Sequence, residues 1–516
     1  MKVKKYTDKF LTVVLSLSFT MGVFSACDND KQEAVIPQLP DYSKTEGQID
    51  FFAYSPPGDG TYSVDGIIKE LGTNKMTLEG YTTYREAGFD IIMLTQQAKY
   101  NGEDWNTSAC KRAWELALEA GIDRVLVNDN RLEGLISYMD KLVGETSDCR
   151  FSTEDELNEY VKQCVSTFKD MEGFYGFKLH DEPVCAYTGS IGKVYRAIKK
   201  AGEDLGLGDL YIHMNLLPLG GKDAPDYSKT AENLTDAYYD YVRGFLEATG
   251  ADRLSCDVYL YRGTGIANGF YQSAQIMKQC CDEYGAELTF CLQSFEVYNG
   301  STHLFRGVGR SEMFGEFYSL LGMGVDNFAY YTYQIPYILN TKTPYIDESS
   351  FITPNGEKTN VYYYGQQVME TADKMEDIIL NYEYQGGKFY TATLASFDNS
   401  RYLSTLPDAI SKTAVDFDNS YEFKLLQKVD FDNDIVFATE LYDEDNQLYM
   451  YMLQNAIDPI NSELGRTAEK ITATFSSEYT YVAELHEGNL QYVALKNGVY
   501  EKVLSAGDAV YIIPLK

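Results

Sequence analysis

A (β/α)8 TIM barrel followed by a C-terminal all-β sandwich is the fold class this sequence predicts, and three observations predict it. Eight short, nearly continuous apolar runs alternate with amphipathic helical patterns between about residues 49 and 382, as parallel strands covered on both faces require. No glycine-rich phosphate loop follows the first run, where "SPPGDG" stands, and this argues against an open doubly wound sheet. From about residue 383 the pattern changes to short alternating strands separated by tight turns.

The N-terminus comes first. "MKVKKYTDKF" is a basic stretch, and "LTVVLSLSFTMGVFSA" is an apolar run of 16 residues, short for a spanning helix, ending in small residues before Cys27. "VFSAC" resembles the lipobox of bacterial lipoproteins, which implies cleavage after residue 26 and diacylation of Cys27. The acidic "DNDKQE" that follows resembles the export signal of surface lipoproteins in some Gram-negative bacteria. Residues 27–48 are polar and punctuated by proline, as a tether should be. An outer-membrane or cell-surface location, with the chain held by lipid, is the expectation.

The barrel strands are expected in "IDFFAYS", "FDIIMLTQQ", "DRVLVND", "FYGFKLHDE", "LYIHMNLLP", "RLSCDVYLY", "ELTFCLQSF" and "DNFAYYTYQ". Between them, "STEDELNEYVKQCVSTF" sets Thr153 and Glu156 at capping-box spacing, and Leu157, Val161, Cys164, Val165 and Phe168 follow on one face. "CKRAWELALEAGID" places Cys110, Trp114, Ala117 and Leu118 together and stops at Gly121. In the last 134 residues, Asn497-Gly498 signals a two-residue hairpin turn.

Composition narrows the function. The net charge is −33, and the leader contributes +3 of that (Lys2, Lys4, Lys5 and Lys9 against Asp8), so the processed chain carries about −36. Such a body repels nucleic acid before any contact forms. The four histidines and the cysteine spacings resemble no zinc site, so neither a metal nor another cofactor is expected. The 44 tyrosines against 2 tryptophans suit a wet groove for a hydroxyl-rich ligand, although most are ordinary half-buried strand residues.

In such a barrel the site lies at the C-terminal ends of the strands. Those ends supply Tyr54, Gln96, Asn128 and Asp129, then His180, Asp181 and Glu182, Asn215, Asp257 and Tyr259, Gln293 and Glu296, and finally Tyr331 and Tyr333. Amides, phenols and carboxylates with few cations form an inventory for gripping sugar hydroxyls, and a poor one for phosphoryl transfer. Cleaving a glycosidic bond needs two carboxyl groups in different environments. Glu182 is the expected general acid, its pKa raised by burial and by its neighbour Asp181.

"YGFKLHDEP" resembles the strand-4 motif of TIM-barrel glycoside hydrolases of the β-galactosidase and cellulase clan, in which a carboxamide–Glu–Pro triplet carries the acid/base. "YREAGFDIIMLT", "IHMNLLP", "LSCDVYLY" and "RSEMFGEFYSLLGMGVDNFAYYTY" are also similar to that clan. The resemblance implies a glycosidase acting on a carbohydrate, with Glu182 in the acid/base position. Two departures stand out: Asp181 replaces the usual Asn, and strand 7 reads "CLQSFE", with Gln293 about where a nucleophilic Glu is implied. The second carboxylate is therefore Glu296, or Asp257 in a strand-4/strand-6 pairing like that of α-galactosidase-type barrels, in which Asp181 could take part. Without a second carboxylate the chain would be a surface glycan-binding protein on a degenerate barrel.

Overall fold

The apolar runs do form parallel strands. In a computed structural model that describes residues 36–45, 47–64, 67–70, 72–219, 234–263, 265–266, 269–299, 302–334, 338–340, 343–346, 350–391, 418, 420–432, 435–459 and 468–516, they are β1 (Asp50–Ala53), β2 (Ile91–Leu94), β3 (Arg124–Asn128), β4 (Phe174–Asp181), β5 (Tyr211–Leu216), β6 (Arg253–Asp257), β7 (Glu287–Gln293) and β8 (Asn327–Tyr331). The leader, Cys27 and its lipidation lie outside the described residues. The eight strands make one parallel sheet in the order β1-β8-β7-β6-β5-β4-β3-β2.

Closure of that sheet falls at the β1–β2 seam, and a side chain completes it. The Asp90 N–H reaches the Phe51 carbonyl at 3.2 Å. Beside it, the buried Tyr84 hydroxyl accepts from the Ala53 N–H at 3.0 Å and donates to the Ile91 carbonyl at 3.0 Å. Tyr84 belongs to α1 (Leu78–Glu86), whose N-cap Thr77 accepts from the Gly80 N–H. One phenol thus satisfies two strand backbone groups that would otherwise be buried unpaired.

The remaining helices are α2 (Ala109–Glu119), α3 (Asn130–Ile136), α4 (Glu154–Ser166), α5 (Thr188–Leu205), α6 (Leu234–Thr249), α7 (Gly269–Tyr284), α8 (Arg310–Gly322) and α9 (Asn360–Ile379). The Thr153 hydroxyl caps α4 by accepting from the Glu156 N–H, and the Glu156 carboxylate answers by accepting from the Ser152 N–H. Gly121, at φ +83°, ends α2 in the left-handed conformation that favours glycine. Inside the barrel, Phe52, Ile91, Met93, Leu126, Tyr211, Cys291 and Ala329 pack together, so the interior is a filled core and not a pore. Cys110, Cys164, Cys256 and Cys291 are buried free thiols, packed as small apolar groups.

From Glu383 onward the strands are antiparallel: β9 (Glu383–Thr391), β10 (Lys428–Phe431), β11 (Ile435–Asp443), β12 (Leu448–Asn455), β13 (Ala468–Thr474), β14 (Tyr481–His486), β15 (Asn489–Ala494), β16 (Val499–Ser505) and β17 (Ala509–Leu515). They form a six-stranded sheet, β9-β11-β12-β17-β14-β15, and a three-stranded sheet, β10-β13-β16, around a shared apolar core. Asn497 and Gly498 both take positive φ, as a type I′ turn demands, and one Lys496–Val499 bridge closes it, but β15 and β16 on either side pair in different sheets and form no hairpin. Helix α8 lies between barrel and sandwich, and every residue from Met313 to Gly322 is buried. The barrel and both sheets belong to one compact unit, residues 37–516.

Tyr84→Phe removes the seam's bridging hydroxyl and leaves a buried N–H and a buried carbonyl unpaired. It should lower the free energy of unfolding by about 1–3 kcal/mol, seen as a lower urea midpoint at unchanged slope.

Candidate active site

The end of β4 is built around a close approach. An ideal Cβ on Gly176 would lie 1.8 Å from the Tyr211 carbonyl oxygen, so only glycine lets β4 and β5 run together there. Register shifts on both flanks of β4 mark bulges that re-aim its last residues. After Asp181 the chain turns at Glu182, whose φ of +49° is left-handed and whose N–H is held by the Asn215 carbonyl at 2.8 Å. The Pro183 carbonyl then accepts from the Tyr241 hydroxyl at 2.7 Å. Ser55 and Gln96, just beyond β1 and β2, also carry positive φ. Backbone strain of this kind, about 1–3 kcal/mol per residue, gathers at functional rims.

Three carboxyl groups meet at this end. Asp181 accepts from the Asn215 amide NH2 at 3.1 Å, and the Ser255 hydroxyl donates to Asn215 Oδ1 at 3.0 Å, which fixes the amide's orientation. The Lys178 ammonium stands 4.0 Å from Asp181 and 3.4 Å from Glu133. Asp257, at the end of β6, is buried and accepts from the Tyr259 hydroxyl at 3.2 Å. Its Oδ1 is buried without a hydrogen bond of good geometry, yet Asn215 and Glu182 lie close enough to act on its titration.

Burial is the main force on these groups. It drives Asp257 well above the usual carboxylate range, and the charges of Glu182 and Asp181 add to the rise, while Asn215 and Tyr259 oppose it. Glu182 is solvent-exposed as a residue, but protein atoms crowd its carboxyl. That desolvation, and then the Asp181 charge, raises its pKa, whereas its interaction with Asp257 pulls it down. Below them, Tyr54 and His213 pair at 2.8 Å. Burial, aided by the Lys178 charge, pushes His213 down to about 3, so its imidazole is neutral at physiological pH. It is a packed core histidine.

A cleft of about 490 Å³ opens beside these groups, and Tyr54, Gln96, Asn128, Glu133, Lys178 and Asp181 line it. Asn128 donates to Glu133 at 2.9 Å, and His180 Nδ1 is 3.9 Å from the same carboxylate, too far for a hydrogen bond. On the β6–β8 side, Tyr259, Phe295 and Tyr331 form an aromatic cluster with ring centroids 4.6–6.0 Å apart. Tyr54 joins it at 5.9 Å from Tyr331. Among the described residues, no group of three or more His, Cys, Asp or Glu is arranged to hold a metal ion.

Several expected site residues are engaged elsewhere. Asp129 is 1% exposed, caps α3 and is clamped by the Arg131 guanidinium. Gln293 is fully buried, and its amide bonds only backbone groups, of Tyr261, Phe295 and Arg306. Tyr333 does not share a face with Tyr331, because β8 ends at Tyr331 and the alternation stops there. Tyr333 packs outside the barrel on Tyr84, Phe89 and Phe351. Glu296 lies three residues past β7, at the start of a small antiparallel meander; the carboxyl that acts on Glu182 from another strand is that of Asp257. Conversely, Lys178 and Glu133 line the cleft and were not anticipated. A lysine inside an otherwise apolar barrel strand, "GFKLH", was the available signal, since its ammonium must reach a polar mouth.

No known family profile matches this chain, and no curated protein is significantly similar to it. Among solved structures, an Anoxybacillus α-amylase is similar at 11% identity and a TM-score of 0.47, over 90% of this chain and 97% of its own. An α-amylase from Geobacillus thermoleovorans, complexed with acarbose, is similar at 10% identity and a TM-score of 0.43, over 91% and 98%. A fungal β-1,4-galactanase is similar at 12% identity and a TM-score of 0.41, over 62% and 100%.

Asp257 and Glu182 both titrate above their ordinary values of 3.8 and 4.5, so the folded chain binds more protons than the unfolded one above that range. Stability therefore falls as pH rises through the interval up to the folded pKa. Asp257→Asn removes the largest part of that loss. Its melting temperature should exceed that of wild type at pH 8, with the difference shrinking towards zero near pH 4, as measured by thermal unfolding across pH.

Proposed function

We propose that this chain is a glycoside hydrolase acting, without a cofactor, on a neutral oligo- or polysaccharide. The observation that carries the reading is the meeting of Glu182, just past β4, with Asp257 from β6 at the barrel mouth: burial raises both carboxyls, the Glu182 charge adds to the rise at Asp257, and the Asp181 charge adds to the rise at Glu182, beside a cleft of amides and phenols. Burial and these neighbouring charges hold a proton on the pair above the pH at which an isolated carboxyl loses it. Glu182, on the solvent side, passes that proton to the departing glycosidic oxygen. The charge left on the pair and the Asp181 carboxylate face the oxocarbenium-like centre, and a carboxylate then takes the proton of the water that completes hydrolysis. Tyr54, Gln96, Asn128 and His180 supply hydrogen bonds for sugar hydroxyls, Tyr259 and Tyr331 supply ring faces, and Asn215, 1% exposed and bonded to Asp181 and Ser255, orients the carboxylate and does not meet the sugar.

A second reading is surface glycan binding without turnover. The observation that favours it is Gln293: β7 ends in a side chain consumed by backbone hydrogen bonds, where the resemblance implies a nucleophilic carboxylate. Under either reading the chain acts at the outer membrane or cell surface, held by an acylated Cys27. The support is the leader's basic stretch, apolar run and "VFSAC" ending.

Hydrolysis of a panel of neutral glycans tests the enzyme reading. Glu182→Gln and Asp257→Asn should each lower turnover by about 10²–10⁴-fold, whereas Glu296→Gln should stay close to wild type. Unchanged turnover in both of the first two variants overturns the assignment, and wild-type binding without turnover selects the second reading. For the anchor, wild type expressed in a Gram-negative host should incorporate labelled fatty acid and partition into detergent. Cys27→Ala should do neither.

A further inference from the structure

Among the described residues, Glu316 is the most deeply buried carboxyl that the proposed chemistry does not use. It is 0% exposed on α8, and burial pushes its pKa up to about 8 while two backbone N–H groups pull against that rise. Its Oε2 accepts from the Gln293 N–H at 2.8 Å, at the end of β7. Its Oε1 accepts from the Leu260 N–H at 3.1 Å, three residues beyond Asp257 and next to Tyr259. Gln293 extends the clamp by accepting from the Tyr261 N–H at 3.0 Å and donating to the Arg306 carbonyl at 2.8 Å. One carboxylate therefore ties together the two strand ends that carry the buried half of the site.

The same helix is also held by the sandwich. Gln454 of β12 donates to the Gly315 carbonyl at 2.9 Å and accepts from the Ser319 hydroxyl at 2.8 Å, bracketing Glu316 by one residue and by three. The Tyr511 hydroxyl of β17 donates to the Tyr318 carbonyl at 3.2 Å. Gly315 is enclosed from two directions, since a Cβ there would lie 2.6 Å from the Tyr261 hydroxyl and 3.3 Å from the Gly507 Cα of the sandwich. A second tie joins the same rim to the sandwich: Arg306, 5% exposed, forms an ion pair with Asp458.

We propose that the sandwich positions the catalytic rim, with Gln454 and its neighbours fixing α8 and the Glu316 carboxylate carrying that constraint to the β6 end, which bears Asp257 and Tyr259, and to the neighbouring β7 end at Gln293. The proposal rests on Glu182 and Asp257 being the acting pair. An apolar side chain would fill the same space with less desolvation but would leave the Leu260 and Gln293 N–H groups unpaired. An amide keeps one acceptor and turns its NH2 towards the other N–H, so glutamine preserves half of the clamp. Glu316 is a positioning residue, since it touches only backbone of the rim.

The test compares Glu316→Gln, Glu316→Leu and Gln454→Leu in the full chain. Residue-resolved amide exchange at Leu260 and Gln293 should accelerate by about 10-fold or more as the local opening free energy falls, with Leu more affected than Gln at position 316, while exchange in β2 and β3 stays as in wild type. On the glycan that wild type hydrolyses, kcat should fall by up to about 10²-fold, as expected for a displaced catalytic group, with KM nearly unchanged. Wild-type protection at both amides in folded variants overturns the proposal, as does unchanged kcat once those amides have opened. If the Glu316 variants do not fold, Gln454→Leu decides alone. If wild type hydrolyses no glycan, the proposed function fails on its own account, and amide exchange still decides whether the sandwich holds the rim.

Discussion

Closure of a parallel sheet is the constraint on which the rest of this molecule depends. Once eight strands run the same way around a filled interior, all their C-terminal ends must share one rim. Residues as distant in sequence as Tyr54, Asn128, Glu182 and Asp257 are thereby brought to a common mouth without any local code for it. The closure is not automatic. Between β1 and β2 the ladder is thin, and the Tyr84 hydroxyl, supplied by a helix, stands in for the missing backbone partner.

The rim then carries what a stable core would exclude. Asp257 is buried beside two other carboxyl groups, Glu182 is held at a left-handed φ, and Ser55 and Gln96 share that conformation. Each of these opposes folding, and the surrounding network offsets them: Ser255 orients Asn215, Asn215 holds Asp181, and Lys178 lies between Asp181 and Glu133. The same low-dielectric crowding that makes the carboxyls costly is what keeps a proton on them. Site chemistry and local instability have one physical origin.

The C-terminal sandwich is continuous with this arrangement. Its core is its own, but its faces meet α7 and α8 through the Tyr271 ring, edge-on to the stacked pair Phe389 and Phe437, and through the Gln454 bonds. A helix buried on all sides, such as α8, makes a stiff link between two layers. Glu316 gives that link a polar end directed at the rim.

Much of this was legible in the sequence, because periodicity and turn chemistry are local. The eight apolar runs, the Thr153 cap, the stop at Gly121 and the Asn497-Gly498 turn all follow from side-chain spacing and backbone preference, and the fold class follows from their order. The barrel rule also identified Glu182, Asp181 and Asp257 as residues of one rim. What the sequence could not decide is which side of a strand end each residue turns to. Gln293 and Asp129 sit at strand ends as expected, yet Gln293 serves the backbone and Asp129 an arginine, because long-range partners outside the strand compete for them. The stretch "CLQSFE" left the second carboxylate open between Glu296 and Asp257. Only the tertiary structure set Asp257 against Glu182, since that proximity depends on the register and tilt of β4 through β6, which no local pattern encodes.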